Sequence, residues 1–280
     1  MSSNQTITFG SGRQLTKIDY LSELLPYLDL YQKIPTIKNL LQQAIKTIAA
    51  LNKGQLPHAL PVMELPESVI DEIQNHVLTT YPTDATRGNA LWEMLTTPLE
   101  DVDFMLRHLR DALIEYFSMY GFVSQEFIVA LSDYTAGKPV LEIMAGHGYL
   151  SAGLRALQPT QTIIATDNEA WHLQPDLSSA EPVTPVEALP AVAAIKKYGA
   201  QVATVIMSWA PDTTEADWEI LQLMREQAGQ YDFKLLVIGE PNGATNSAKF
   251  WQKAQLTPMP SLNAVHQSFD LIDEQVYLVQ

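Results

Sequence analysis

Four short apolar runs in the second half of the chain constrain its fold most strongly. They lie at residues 140–143, 162–166, 202–208 and 235–239, and segments of helical pattern separate them. Strands that are apolar at nearly every position are expected where helices cover both faces of a parallel sheet. The pattern therefore predicts an α/β fold with a mostly parallel sheet and right-handed crossovers.

The end of the chain departs from this alternation. Two further strands are predicted at residues 265–269 and 275–279, and only residues 270–274 connect them. This connection is too short for a crossover between parallel strands. The two strands are therefore expected to pair antiparallel at one edge of the sheet.

The first half of the chain has a helical texture instead. Apolar residues recur every three or four positions through residues 17–136, and Gly54 is expected to end one of these helices. The change of pattern predicts an all-helical N-terminal domain at 1–136 and a sheet domain at 137–280.

A further helix start is predicted within this first half at TPLE, residues 97–100. Thr97 would cap the helix, Pro98 would occupy its first position and Glu100 would return the capping hydrogen bond. This helix is expected to run to Tyr120, with Gly121 ending it.

Composition excludes several classes of function. The 280 residues carry a formal net charge of −15 and include no cysteine. Disulfides, zinc–thiolate sites and thiol nucleophiles are therefore excluded, and both acidic halves argue against nucleic acid as a partner. The histidines show no metal-ligand spacing, so no metal site is predicted. Without a leader-like start or a membrane span, the expected location is the cytoplasm.

A glycine-containing loop follows the first strand of the predicted sheet, within VLEIMAGHGYLS at residues 140–151. The loop consists of Ala145, Gly146, His147 and Gly148. It lies between the first strand and a helix expected at residues 149–157, at the carboxyl edge where open α/β sheets bind ligands, and its glycines allow a ligand to approach the main chain. A tight strand-to-helix turn without a ligand would give the same residues.

Two carboxylates make the ligand more specific. Asp167 ends the second strand, where an acid can bind both hydroxyls of a ribose. Glu142 lies in the first strand and would repel the pyrophosphate of a dinucleotide, whose fingerprint also favours Gly or Ala where this chain has Ser151. The ammonium and sulfonium of S-adenosylmethionine suit an acidic site, so the residues favour this ligand over a nicotinamide cofactor. Asp167 could alternatively cap the following helix.

These residues resemble a known family. VLEIMAGHGYLSAGL is similar to the first motif of the class I S-adenosylmethionine-dependent methyltransferases, and the resemblance extends over about residues 117–280. It implies a Rossmann-like methyltransferase sheet with an antiparallel final strand and S-adenosylmethionine as cofactor. It also implies that Asp167, beside Asn168, holds the ribose, and that Glu187 and Ala188, at the end of the third strand, face the adenine. A Glu that opens a helix could explain Glu187 equally well.

A narrower likeness comes from YGFVSQEFIVAL, MSWAPD and VIGEPNGATNSAKFW, which resemble methyltransferase-like proteins without a settled substrate. Two residues depart from the general family pattern. Met144 replaces the first glycine of the motif and could narrow the space for the cofactor. The fourth strand ends in Met207-Ser208-Trp209-Ala210-Pro211 rather than in Asn/Asp-Pro-Pro-Tyr, which argues against an enzyme that methylates bases. The expected acceptor is a small molecule or a protein side chain.

Individual side chains remain open to two interpretations. His147 is a candidate base, although a contact with the loop or cofactor is favoured. Trp209 could contact the sulfonium through a cation–π interaction or fill an apolar seam, with Ser208 beside the cofactor. His172 is expected near the adenine or on the surface, and Tyr120 over the cofactor or in the core. A non-catalytic interaction protein of the same fold is the main alternative, and an NAD-dependent oxidoreductase is a weaker one.

Overall fold

The computed structural model describes residues 6–8, 18–170, 181–227 and 229–280. Its first part is helical, as the sequence predicts. The helices are α1 (Asp19–Leu30), α2 (Pro35–Asn52), α3 (Val69–Thr80), α4 (Ala85–Thr96), α5 (Leu99–Arg107), α6 (Leu109–Phe117) and α7 (Gln125–Thr135). No described helix combines the length and the apolarity that crossing a bilayer requires.

Helix α2 confirms the prediction of an amphipathic helix that Gly54 ends. Its buried residues include Ile37, Leu40, Leu41 and Ala44, on one helical face. Gly54 follows with a φ of 72°, a left-handed conformation in which glycine has no steric penalty.

The helix predicted from Thr97 to Tyr120 is wrong at its start, middle and end. The Thr97 hydroxyl donates to the Glu93 carbonyl at 2.7 Å and its backbone is helical, so it closes α4 rather than capping the next helix. At His108 the backbone leaves helical geometry (φ −93°, ψ 16°), which divides the segment into α5 and α6. Helix α6 ends at Ser118, whose left-handed φ of 52° replaces the stop expected at Gly121.

The second part of the chain forms one sheet. The strands are β1 (Val140–Ile143), β2 (Ile163–Asp167), β3 (Glu187–Ala188), β4 (Thr204–Ser208), β5 (Lys234–Gly239), β6 (Leu256–Pro258) and β7 (Gln275–Val279). Their order is β3-β2-β1-β4-β5-β7-β6, in which β1 to β5 are parallel and β7 is antiparallel to β5 and β6. The predicted fold class, a mostly parallel Rossmann-like sheet with an antiparallel final strand after a helical N-terminal part, is confirmed.

The strand predicted at residues 265–269 is wrong. Pro260 begins a short helix, α12 (Pro260–Asn263), and the amides of Val265 and His266 continue its turn by bonding to the Leu262 carbonyl at 3.1 and 3.0 Å. The antiparallel partners of β7 are therefore β5 on one side and β6 on the other.

The continuous apolar strands are explained by packing on both faces of the sheet. The remaining helices are α8 (Tyr149–Leu157), α9 (Ala191–Tyr198), α10 (Ala216–Glu226) and α11 (Ala248–Lys253). In β4, Ile206 belongs to the core shared with α7 and α8, whereas Val205 and Met207 belong to the core shared with α9, α10 and α11. Both faces are thus covered, and the loops at the carboxyl edge are left to form a site. The division into domains at residue 136 stays a prediction.

Candidate functional site

The described residues form a cavity of about 510 Å³ at the carboxyl edge of β1, β2 and β4. Its wall is drawn from four stretches, residues 118–123, 142–150, 167–170 and 208–216, together with Ala244. Its volume lies within the range of small-molecule sites. The topology explains its position, because parallel neighbouring strands end on the same side and their loops converge there.

The loop after β1 leaves main chain open to this cavity. Gly146 has a φ of 51°, and a Cβ built on it would meet nothing within 4 Å. Its amide donates to Asp167 Oδ2 at 2.8 Å, and the amide of Ala145 donates to the Thr166 carbonyl at 3.0 Å. The loop is therefore fixed to the end of β2, while the surface of Gly146 and Ala145 stays on the cavity wall.

Met144, the residue that replaces the first glycine of the motif, also lies on the cavity wall. Its φ of 54° is left-handed, a conformation that costs a residue with a side chain about 1–2 kcal/mol. The position thus has the backbone geometry of a glycine. The cavity remains open beside the methionine side chain.

Glu142 is the buried acid of the site. Its side chain lines the cavity, the residue is 3% exposed, and Oε2 accepts a hydrogen bond from the Ser151 amide at 2.9 Å and a second from the Ser151 hydroxyl. Burial raises the pKa of this carboxyl to about 7, although the bonds from Ser151 oppose the rise. A cation in the cavity would therefore favour its ionised form.

Asp167 and Asn168 line the cavity at the end of β2. Asp167 is 7% exposed; besides the Gly146 amide on Oδ2, its Oδ1 accepts from the Glu169 amide at 2.6 Å. Because a carboxylate has about four acceptor positions, these two bonds leave capacity for ligand hydroxyls. Asn168 Oδ1 accepts from the Ala170 amide at 3.0 Å, which fixes its side chain locally.

Three of the expected cofactor residues lie off the cavity wall. Gly148 has a φ of 76°, and a Cβ there would lie 2.8 Å from Thr184 Cγ2, so this glycine serves the packing of the loop. The Glu187 carboxylate accepts from Lys197 Nζ and Tyr198 OH, each at 2.6 Å. These bonds lower its pKa and occupy it at the surface. Ala188 pairs with Asp167 in the sheet but does not line the cavity.

His147 lies on the cavity wall and is 4% exposed. Its carbonyl accepts from the Val183 amide at 2.9 Å, so the loop is also tied to the segment before β3. The structure places Tyr120 on the wall as well, whereas Phe122 is buried and its ring packs against Phe269 at 5.1 Å. His172 lies outside the described residues.

The loop after β4 begins with Ser208 and Trp209, both on the wall. Trp209 has a left-handed φ of 53°, its amide donates to the Ile238 carbonyl at 2.9 Å, and its indole Nε1 donates to a carboxylate oxygen of Glu274. The Trp209 ring packs directly against Gly121, where a side chain would clash, because a Cβ at this position would lie 2.7 Å from the indole Cδ1. The ring is therefore held from several sides.

An ion-pair network behind Trp209 was not foreseen from the sequence. Arg110, 5% exposed, donates through Nε to Asp270 Oδ2 at 2.5 Å, through Nη2 to Glu274 Oε1 at 3.1 Å and through Nη1 to the Tyr120 carbonyl at 2.7 Å. Its guanidinium carbon lies 4.6 Å from the centre of the Trp209 ring, a cation–π distance. The network ties α6 and the segment before β7 to the cavity wall.

One sequence signal could have pointed to Arg110. It shares the buried side of α6 with Leu113 and Phe117, at helical spacings of three and seven. A charged residue among buried apolar positions needs a partner, but the partners lie 160 and 164 positions along the chain. No local pattern could have identified Asp270 and Glu274.

The described cavity wall carries acidic side chains without Lys or Arg. Among the described residues that line the cavity, Glu142, Asp167 and Asp212 are acidic and none is Lys or Arg. The same described part of the chain contains no group of three His, Cys, Asp or Glu placed to hold a metal ion. The wall thus suits a ligand that is neutral or positively charged.

Comparison with solved structures finds matches at low sequence identity. The chain is similar to an uncharacterized protein from Listeria monocytogenes serotype 4b (15% identity, TM-score 0.33, 56% of this chain and 67% of that one). It is also similar to the mitomycin 7-O-methyltransferase MmcR (15% identity, TM-score 0.34, 75% of this chain and 67% of that one). A third similar structure is human N-acetylserotonin methyltransferase in complex with SAM (14% identity, TM-score 0.32, 73% of this chain and 61% of that one). No protein-family model and no curated protein matches the chain. The strand order of the sheet, rather than these similarities, defines the fold.

Proposed function

We propose that this chain binds S-adenosylmethionine in the cavity at the carboxyl edge of β1 and β2 and transfers its methyl group to a small-molecule or protein acceptor. The observation that carries the proposal is the buried acid beside the open glycine loop. Glu142 and Asp167 line the cavity there, and no described Lys or Arg does.

The negative charge of this wall favours some adenosine-containing ligands over others. A dinucleotide would bring a pyrophosphate to the loop after β1, where the Glu142 and Asp167 carboxylates would repel it. S-adenosylmethionine has no phosphate and carries an ammonium and a sulfonium, which both carboxylates attract. The same wall therefore favours the methyl donor and disfavours NAD.

The contacts of the loop suggest how the ligand would lie. Asp167 keeps acceptor capacity for the two ribose hydroxyls, and Asn168 adjoins it on the wall. The main chain of Ala145 and Gly146 would pass close to the ligand, because no side chain stands on Gly146. Glu142 would receive the ammonium. His147 and Ser208 would contact the ligand from either side, and Glu187 and Ala188 would act at most through the shape of β3.

When bound, S-adenosylmethionine supplies an activated methyl group. The residues of the chain then have to orient the acceptor and exclude water, which can account for much of a rate enhancement. Trp209 forms one wall of the cavity in an orientation that Glu274 and Arg110 hold. His147 is the one histidine on the described wall and is our candidate where an acceptor needs to lose a proton.

Calorimetric titration with S-adenosylmethionine, S-adenosylhomocysteine and NAD tests the proposal. We expect micromolar binding of both adenosyl amino acids and none of NAD. Because Glu142 has a pKa of about 7 and a bound cation would lower it well below 6, the Glu142 carboxyl should release close to one proton (about 0.9) on binding at pH 6, and almost none at pH 8.5. Buffers of different ionisation enthalpy report this number.

Two variants test whether the proton release on binding comes from the Glu142 carboxylate. Glu142→Gln should abolish the proton release and weaken binding about tenfold or more, whereas Glu226→Gln, at an exposed helix end, should change neither. The proposal would be refuted if NAD bound more tightly than both adenosyl amino acids, or if neither S-adenosylmethionine nor S-adenosylhomocysteine bound. A preference for NAD would favour an oxidoreductase, and the absence of binding would favour the non-catalytic alternative.

A further inference from the structure

We infer that the acceptor end of the cavity, the wall formed by residues 118–123 and 208–216, selects a neutral or positively charged acceptor and rejects an anionic one. Asp212 is the charge that decides this selection. The inference rests on the proposed function, since it assigns the rest of the cavity to the methyl donor.

The loop after β4 and the first two residues of α10 carry three acids, and two of them are already occupied. Glu215 pairs with Lys249 at 2.8 Å. Asp217 is 1% exposed and accepts from the Ser247 hydroxyl and amide at 2.8 and 2.6 Å. Asp212 differs from both: it is exposed, it lies on the cavity wall, and no described residue donates to its carboxylate or forms an ion pair with it. Its charge is therefore available to a ligand.

No positive charge compensates Asp212 within the described wall. Arg110, the buried cation behind the acceptor end, is bound to two carboxylates, Asp270 and Glu274, so its charge is already compensated. An anionic acceptor would thus meet Asp212 without a counter-charge.

The neighbours of Asp212 suit the opposite ligand. The hydroxyls of Thr213 and Thr214 on the same wall can bind a neutral polar group beside the Asp212 carboxylate. A protonated amine has no lone pair with which to attack a methyl group. A positive group would therefore anchor the acceptor at Asp212, and a separate neutral atom would receive the methyl.

Three probes with one aryl skeleton and different charges test the inference: 2-phenylethylamine, 2-phenylethanol and phenylacetate. Their affinities are measured by ligand-observed NMR at low salt, with the donor site filled by S-adenosylhomocysteine. We expect the amine to bind at least tenfold more tightly than phenylacetate, with the alcohol between them, and added salt to reduce the difference. Nα-acetyl-lysine amide carries the same cation on a protein-like side chain. A higher affinity for it than for 2-phenylethylamine favours a protein acceptor, and a lower affinity favours a small molecule.

Two variants locate the charge. Asp212→Asn should reduce the preference for the amine over phenylacetate at least threefold. Asp232→Asn is the matched control, because Asp232 is an exposed acid before β5, at the opposite edge of the sheet, and it should leave the preference unchanged.

The outcomes separate this inference from the proposed function. If S-adenosylhomocysteine does not bind, the proposed function fails and this inference with it. If S-adenosylhomocysteine binds but phenylacetate equals the amine, none of the three probes binds, or Asp212→Asn changes nothing, the acceptor selection alone is overturned.

Discussion

Removing the Arg110 guanidinium should destabilise the fold strongly. Arg110 is 5% exposed, and its two carboxylate partners, Asp270 and Glu274, are buried with it. Arg110→Met keeps most of the side-chain volume but removes the guanidinium that pairs with both acids and donates to the Tyr120 carbonyl. Among the described residues, Asp270 then loses its cation and Glu274 keeps only the more distant imidazole of His266, at 3.7 Å. Breaking a buried ion pair by removing one partner costs about 3–5 kcal/mol, so we expect a loss of that size in the free energy of unfolding.

Urea unfolding at pH 7.5, followed by circular dichroism, measures this loss, and the melting temperature should fall by about 6–20 °C. Arg107→Met is the matched control. Arg107 pairs with Asp103 at 2.7 Å and Glu64 at 2.9 Å, but all three side chains are partly exposed, so its loss should cost about 0–1 kcal/mol.

A second variant tests the stated cause. If uncompensated charge destabilises Arg110→Met, then adding Glu274→Gln to it should recover part of the loss, whereas Glu274→Gln alone should destabilise the wild-type protein. Equal losses for Arg110→Met and Arg107→Met, both near 1 kcal/mol, would show that the network is solvated and refute the reasoning.

Three further predictions concern the loop after β1. Burial raises the pKa of Glu142 from 4.5 to about 7. The contribution of this carboxyl to the free energy of unfolding is therefore complete below pH 4.5 and is lost as the pH rises through 7. Glu142→Gln should flatten this part of the stability–pH profile, as measured by urea unfolding. Gly148→Ala should lower stability more than Gly137→Ala, since both have a left-handed φ but only Gly148 faces a contact, with Thr184; melting temperatures compare the two. Met144→Gly should leave stability within about 1 kcal/mol, because relief of backbone strain offsets the greater freedom of the unfolded chain, and should raise the affinity for S-adenosylmethionine in calorimetry.

The parts of the fold that could be predicted from sequence depend on local chemistry. The strand, loop and helix from Val140–Ile143 to Tyr149–Leu157 were predicted with their observed bounds, because apolar runs, glycines and helical periodicity are properties of neighbouring residues. The short β3 strand followed from the family resemblance at Glu187 and Ala188.

The errors arose where the same residues fit two competing local motifs. Residues 265–269 have strand-like composition, but Pro260 begins a helix whose turn continues through His266. Thr97 has the sequence of an N-cap, yet its hydroxyl is bound to the preceding helix. Local sequence permits both motifs in each case, and tertiary packing selects between them.

The location of backbone strain gives a final, independent argument for the site. Most non-glycine residues with left-handed φ in the described chain follow the carboxyl ends of β1, β2, β4 or β5: Met144, Glu169, Trp209, Asn242 and Asn246. Such conformations each cost of order 1–3 kcal/mol and persist only where the surroundings enforce them. Here the enforcing bonds leave the loops for neighbouring elements: the Trp209 amide donates to the Ile238 carbonyl in β5, and the Asn246 amide donates to the Ala210 carbonyl in the loop after β4. Because one edge of the sheet bears this cost and also bears the cavity, we interpret the strain as the preorganisation of a binding site, in which the loops hold their shape before a ligand arrives.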